Sequence, residues 1–171
     1  PLFFICYTIA SSYAQIATLT PMLEFDGAAI TSISENGEWA CGSTFNNNDG
    51  AGYQSNASKW NLATGERTYL VSKDELDNAQ SDAFAITNDG SLVVGQYLLL
   101  PAYYINGEWH QLEMPRAYRN AVGEVSAVGF NEQGDTIMIG WAYTAATRGT
   151  IMRWINGKLD NEFEYRNTVR E

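Results

Sequence analysis

The sequence predicts an all-β fold made of about three units, each with four short antiparallel strands. Three observations carry this. One strand–turn–strand pattern occurs three times in 171 residues, at Ser32 to Gly42, Ala85 to Gly95 and Gly129 to Gly140. A second strand–turn–strand pattern follows each copy, at Lys59 to Glu66, Tyr103 to Trp109 and Arg153 to Leu159. No segment keeps a helical apolar period over a normal helix length.

In chain order, Leu2 to Ala10 is an apolar run, followed by Ser12-Tyr13-Ala14. The run is too short to span a bilayer, and the small residues at 12 and 14 are those a signal peptidase reads. Residues 1–14 are therefore read as the remnant of a secretory signal peptide, cleaved after Ala14. With no positive n-region and Pro1 in place of Met, the start is read as truncated. The expected location is secreted, periplasmic or cell-surface. The repeat domain is expected to fill residues 15–171, with blades at about 28–72, 81–114 and 125–165.

Ile16 to Thr20 reads as a strand ended by Pro21. In each copy of the first pattern an apolar residue, Ile33, Ile86 or Phe130, stands four positions before a turn glycine. Asn36-Gly37 and Asp89-Gly90 are strong turn dipeptides because such turns need positive φ. A second glycine follows at Gly42, Gly95 and Gly140. The interval is five residues in two copies and six in the third, where the extra residue suggests a β-bulge. The second pattern turns at Thr64-Gly65, Asn106-Gly107 and Asn156-Gly157, and the fourth strands are read at 67–71, 108–112 and, more weakly, 161–165. Ser72 to Glu75 fits a capping box for a helical turn or two before Ala79.

The spacings locate the variation. Ile33 to Ile86 is 53 residues and Ile86 to Phe130 is 44. The nine-residue difference equals the difference between Gly42–Trp60 (18) and Gly95–Tyr104 (9), so insertions concentrate between the second and third strands. Four-stranded units of this size are those of β-propeller blades, which stack because none buries its faces alone. Three blades are too few to close a ring of four to eight. The array is therefore read as an incomplete part of a larger propeller, completed by further blades of the same protein or by a homo-oligomer.

The units resemble the bacterial "probable extracellular repeat" family of the HAF type, whose pattern runs roughly Ala-Ile-Ser-x-Asp-Gly-x-x-Val-x-Gly and then Ala-Phe-x-Trp. Ala85 to Gly95 carries the first half, the other two copies match it loosely, and Ala57-Ser58-Lys59-Trp60 keeps only Ala and Trp of the second. The resemblance implies an exported, propeller-like array and brings no catalytic residues with it.

Ten Lys and Arg against twenty Asp and Glu give a formal charge of −10. Such a balance repels phosphate backbones and anionic membranes, so neither nucleic acid nor membrane insertion is expected. Without Cys6, Cys41 is the single cysteine left, read as a small buried hydrophobe. His110, the one histidine, lies in a fourth strand, and no Gly-x-Ser-x-Gly elbow, zinc cluster or nucleotide loop accompanies it. No catalytic residue, metal or cofactor is expected. The polar loop around Asn46, Asn48, Asp49 and Tyr53 lacks the spacing of a calcium loop; it is read first as a flexible hairpin loop, with sugar or peptide contact through Tyr53 and the Asn amides as the binding alternative. Tyr97, Trp141 and Tyr143 follow the closing glycines; they are read first as blade-to-blade packing, and as binding residues they would suit stacking on a sugar or anchoring a protein. The leading reading is a non-catalytic, exported binding module for a glycan or protein. Part of a propeller hydrolase or lyase, and a structural cell-surface or adhesin array, are the alternatives.

Overall fold

Two-residue turns with both central residues at positive φ match the right-handed twist of paired strands, and Asn-Gly is the dipeptide that tolerates them best. Asn106-Gly107 and Asn156-Gly157 adopt this geometry, with φ of 55° and 89°, and of 50° and 78°. The computed structural model describes residues 28–46, 54–71, 80–118, 121–144 and 147–163. The leading strand at 16–20, the helical turn at 72–79 and the signal remnant lie outside them.

The fold is all-β. Sheet 1 contains β1 (Ala28–Ile33), β2 (Trp39–Asn46), β3 (Gln54–Asn61) and β4 (Arg67–Tyr69). Sheet 2 contains β5 (Ser81–Ile86), β6 (Val93–Tyr97), β7 (Leu100–Ile105) and β8 (Glu108–Gln111). A short 3-10 turn, Arg116–Tyr118, leads to sheet 3, with β9 (Val122–Phe130), β10 (Thr136–Thr144), β11 (Thr147–Ile155) and β12 (Lys158–Leu159). Each sheet is an antiparallel meander of sequential strands. The sheets stack in series, as blades do. β5 lies across the strands of sheet 1, and β9 lies across β5, β6 and β7 of sheet 2.

Two apolar cores fill the spaces between sheets. The first joins Cys41, Ala57 and Leu70 of sheet 1 to Ala83, Ile86, Val93, Tyr97, Ala102 and Trp109 of sheet 2. The second joins Leu92, Val94 and Leu112 to Val125, Met138, Ala142, Met152 and Trp154. Burial pushes the Cys41 thiol up to about 12, against a weaker opposing hydrogen bond from Thr31, so it packs as a neutral side chain. Indole N–H groups staple the layers. Trp109 Nε1 donates to the Leu70 carbonyl at 2.7 Å, and Trp154 Nε1 to the Glu113 carbonyl at 2.8 Å.

Three details differ from the sequence reading. First, the bulge is a property of all three sheets and sits in the first strand. Thr31, Phe84 and Ser126 are the extra residues, at the register shifts between Ile30 and Ser32, between Ala83 and Ala85, and opposite Ile139–Gly140. The bulged strand crowds its neighbour, so a Cβ on Gly42, Gly95 or Gly140 would run into the carbonyl oxygen of Ala29, Asp82 or Glu124. The longer interval in the third copy has another cause. Its ladder has two more pairs, Phe130 with Thr136 and Gly129 with Ile137, while its turn closes from Asn131 to Asp135, one residue shorter than Thr87 to Leu92. Second, part of the length variation after the closing glycines lies in the strands themselves. β10 and β11 have nine residues each, β6 five and β7 six. Third, the last described strand is Lys158–Leu159, directly after its Asn-Gly turn, and residues 161–163 of the expected 161–165 strand form a turn.

Candidate functional site

The first strands of the three sheets stand side by side, β1 against β5 and β5 against β9. Each runs towards its glycine turn, so the apolar residue four before each turn glycine arrives at the same end of the array. A cleft of about 530 Å³ opens there, within the range of ligand sites. It is lined by Ser32, Ile33 and Glu35 from sheet 1, by residues 85–88 from sheet 2, and by residues 126–130 from sheet 3. Ile33 and Phe130, on the two flanking sheets, are 59% and 62% exposed. Ile86 between them is buried in the first core.

The rim is held by hydrogen bonds between neighbouring turns. Asn36 donates its backbone N–H to Asn88 Oδ1 (3.0 Å) and its Nδ2 to the Asn88 carbonyl (2.9 Å). Within the second turn, Asp89 Oδ1 accepts from Thr87 Oγ1 (2.7 Å) and the Ser91 N–H (3.0 Å), and Oδ2 from Ser91 Oγ (2.8 Å). These bonds, the Thr87 one largest, hold the Asp89 carboxyl down at about 2. Lys59 reaches across from sheet 1, donates to the Gly90 carbonyl (2.6 Å) and lies 5.0 Å over the Trp39 ring. Its pKa is lowered by burial, opposed by the charge of Asp89. Asp89 and Lys59 therefore serve the turn and not the cleft.

Chemically the described lining offers two exposed apolar anchors, hydroxyls at Ser32 and Ser126, the side chain of Asn88 and one carboxylate, Glu35, while the Thr87 hydroxyl is buried and donated to Asp89. Among the described residues no group of three or more His, Cys, Asp or Glu is placed to hold a metal ion. No described helix is long and apolar enough to cross a membrane.

The residues singled out from the sequence fall elsewhere. Asn48, Asp49 and Tyr53 lie outside the described residues, and Asn46 ends β2 with no described side chain. Tyr97 is buried and stacks on Trp109, with ring centroids 5.7 Å apart and planes 7° apart, so its ring belongs to the first core and is not free for a ligand. Trp141 and Tyr143 are exposed on one face of β10. Tyr97, Trp141 and Tyr143 are not among the residues that line the cleft, which opens at the glycine-turn end of the described strands. The cleft residues carried a signal in the sequence, the recurring Ile33, Ile86 and Phe130. Strand propensity accounts for such residues individually, and only the stacking of three first strands brings them together. Compared with protein-family models, with curated proteins and with solved structures, the chain matches none.

Proposed function

We propose that this chain is a non-catalytic, exported, propeller-like module that binds a protein partner in the cleft between its first strands. The observation that carries the reading is the pair Ile33 and Phe130, two large apolar side chains left more than half exposed around a concave site. An inserted aliphatic side chain gains roughly 1.5–3 kcal/mol from burial, enough to anchor a peptide segment. Glu35 and the formal charge of −10 favour a basic residue beside that anchor. A protein is preferred to a glycan because Phe130 is the single aromatic ring among the described residues lining the cleft, whereas sugar sites use flat Trp or Tyr faces with several amides. Glycoside chemistry needs two carboxylates, and the described lining residues supply Glu35 alone. Export rests on the apolar Leu2–Ala10 run and the small residues at 12 and 14.

The test is selection of a displayed peptide library on the immobilised chain, in parallel with a glycan array. Peptides with an apolar residue next to Lys or Arg are expected, with binding reduced at least tenfold by Phe130→Ser or Ile33→Ser. Glycan binding without peptide enrichment, or peptides indifferent to both substitutions, would overturn the reading.

A further inference from the structure

An antiparallel ladder alternates between residues that exchange backbone hydrogen bonds with their partner and residues whose N–H and C=O point the other way. β1, β5 and β9 are edge strands, so in them the second kind of residue points to a free edge. The turns set the phase. Ser34 N–H donates to the Trp39 carbonyl (2.8 Å), Thr87 N–H to that of Leu92 (3.0 Å) and Asn131 N–H to that of Asp135 (3.1 Å). One step back along each ladder, Ile33 pairs with Ala40, Ile86 with Val93 and Phe130 with Thr136. Those three apolar residues therefore turn their backbone groups to the free edge, and all three line the cleft.

The three edges differ in length. Beyond its bulge β1 keeps only Ser32 and Ile33, and β5 only Ala85 and Ile86. β9 keeps Ala127 to Phe130, because its ladder has the further pairs Gly129 with Ile137 and Phe130 with Thr136. By the same phase Ala127 and Gly129 bond to β10, and Val128 and Phe130 point to the edge. The other two edges are partly engaged. Ser32 Oγ reaches the Ile33 carbonyl (3.5 Å), and Asn88, just past β5, is held by Asn36. Among the described residues none takes the edge-facing backbone groups of Val128 or Phe130.

The surroundings suit an extended peptide. Exposed sheet edges are commonly blunted by Lys, Pro or inward-pointing charge, and Ala127-Val128-Gly129-Phe130 has none of these. Ala127, Gly129 and Phe130 are exposed, while Val128 packs on the second core and so holds the strand in place. Side chains of an added strand would alternate between the two sides of sheet 3. One alternate set would share the side of Val128 and Phe130, within the cleft that Ile33 and Glu35 also line. The Glu35 carboxylate and the formal charge of −10 complement a Lys or Arg in that set.

We propose that the partner segment binds as an extended strand on the free edge of β9, exchanging main-chain hydrogen bonds with Val128 and Phe130. In strand addition of this kind main-chain bonds give affinity and alternate side chains give selectivity. The bulge at Ser126 ends the pairing on one side and the turn at Asn131 ends it on the other, so the paired stretch is short. The inference rests on the reading of the cleft as a protein-binding site, and it adds the conformation of the bound segment and the groups that hold it.

Peptides enriched from the displayed library are the probe, and amide exchange followed by NMR on the full chain is the first measurement. In the chain alone the amides of Val128 and Phe130 should exchange at least tenfold faster than that of Gly129, which bonds to β10. Saturation with an enriched peptide should slow both at least tenfold more than it slows Gly129. Single N-methyl groups placed along that peptide should weaken binding at least tenfold at alternate positions. Val128→Pro removes an edge-facing N–H and no ladder bond, a change that edge strands tolerate. It should keep the parent's circular dichroism and bind the peptide at least tenfold more weakly. The exchange and N-methyl measurements use the parent chain, so they decide the matter even where Val128→Pro does not fold. Slow exchange at Val128 and Phe130 in the chain alone, an N-methyl profile without a period of two, or full affinity in folded Val128→Pro would overturn the strand pairing and leave the cleft reading in place. A library that enriches no peptide overturns both.

Discussion

At the scale of single residues, two turn glycines separate two physical effects. Gly37 and Gly90 are counterparts, with φ of 72° and 68°. A Cβ on Gly37 meets nothing within 4 Å, whereas one on Gly90 would meet the Trp39 indole at 2.5 Å. Gly37→Ala should therefore cost only the left-handed backbone term, about 1–2 kcal/mol. Gly90→Ala should cost that and a further ~1–3 kcal/mol for overpacking. Urea unfolding of the two variants checks this, and equal losses would show that Trp39 moves aside freely. The turn between β6 and β7 offers the reverse case. Leu98 and Leu99 hold φ of 52° and 67°, with both side chains exposed. Replacing them by Asn and Gly relieves left-handed strain at little packing cost, so the double variant should melt higher by a few degrees, at about 2–4 °C per kcal/mol. Asp89 sets a pH dependence. Its folded pKa of about 2 lies below its ordinary 3.8, so its contribution is present above pH ~4 and is lost as pH falls towards about 2. Asp135 and Asp160 are shifted the same way, by Asn156 and by Arg153 respectively. Asp89→Asn should reduce, without abolishing, the fall in urea midpoint between about pH 5 and pH 2.5.

At the scale of elements, the strand pattern, the turns and the sheet count were legible in the sequence because each is local. Asn-Gly forces its turn, and alternation forces the strand. The bulges were not legible, because Thr31, Phe84 and Ser126 share no residue type. Their mark is on the partner strand, in the glycine that leaves room for the displaced carbonyl. The length difference in the third unit was visible only as a one-residue spacing, the net of a longer ladder and a shorter turn. Tyr97 leaves packing and binding both open in the sequence, because an aromatic after a closing glycine has the same local sequence whether it points to a core or to solvent. Its pairing with Trp109 is non-local. That Trp joins elements in a second way, through its bond to the Leu70 carbonyl. Trp109→Phe keeps most of the packing and leaves that carbonyl without the indole donor, so the loss should be about 1–3 kcal/mol. A Phe variant as stable as the parent would mean that water or another donor replaces the indole.

At the scale of the whole molecule, the sheets are stacked in series and each rests on its neighbours. Stability in such an array is close to a sum of unit terms and nearest-neighbour contacts. Sheet 2 alone contributes side chains to both described cores, through Val93 and Ala102 on one face and Val94 and Leu112 on the other. Its amides should therefore exchange with solvent most slowly, with β6 slowest, while β1 and the two-residue β12 exchange fastest in the isolated chain.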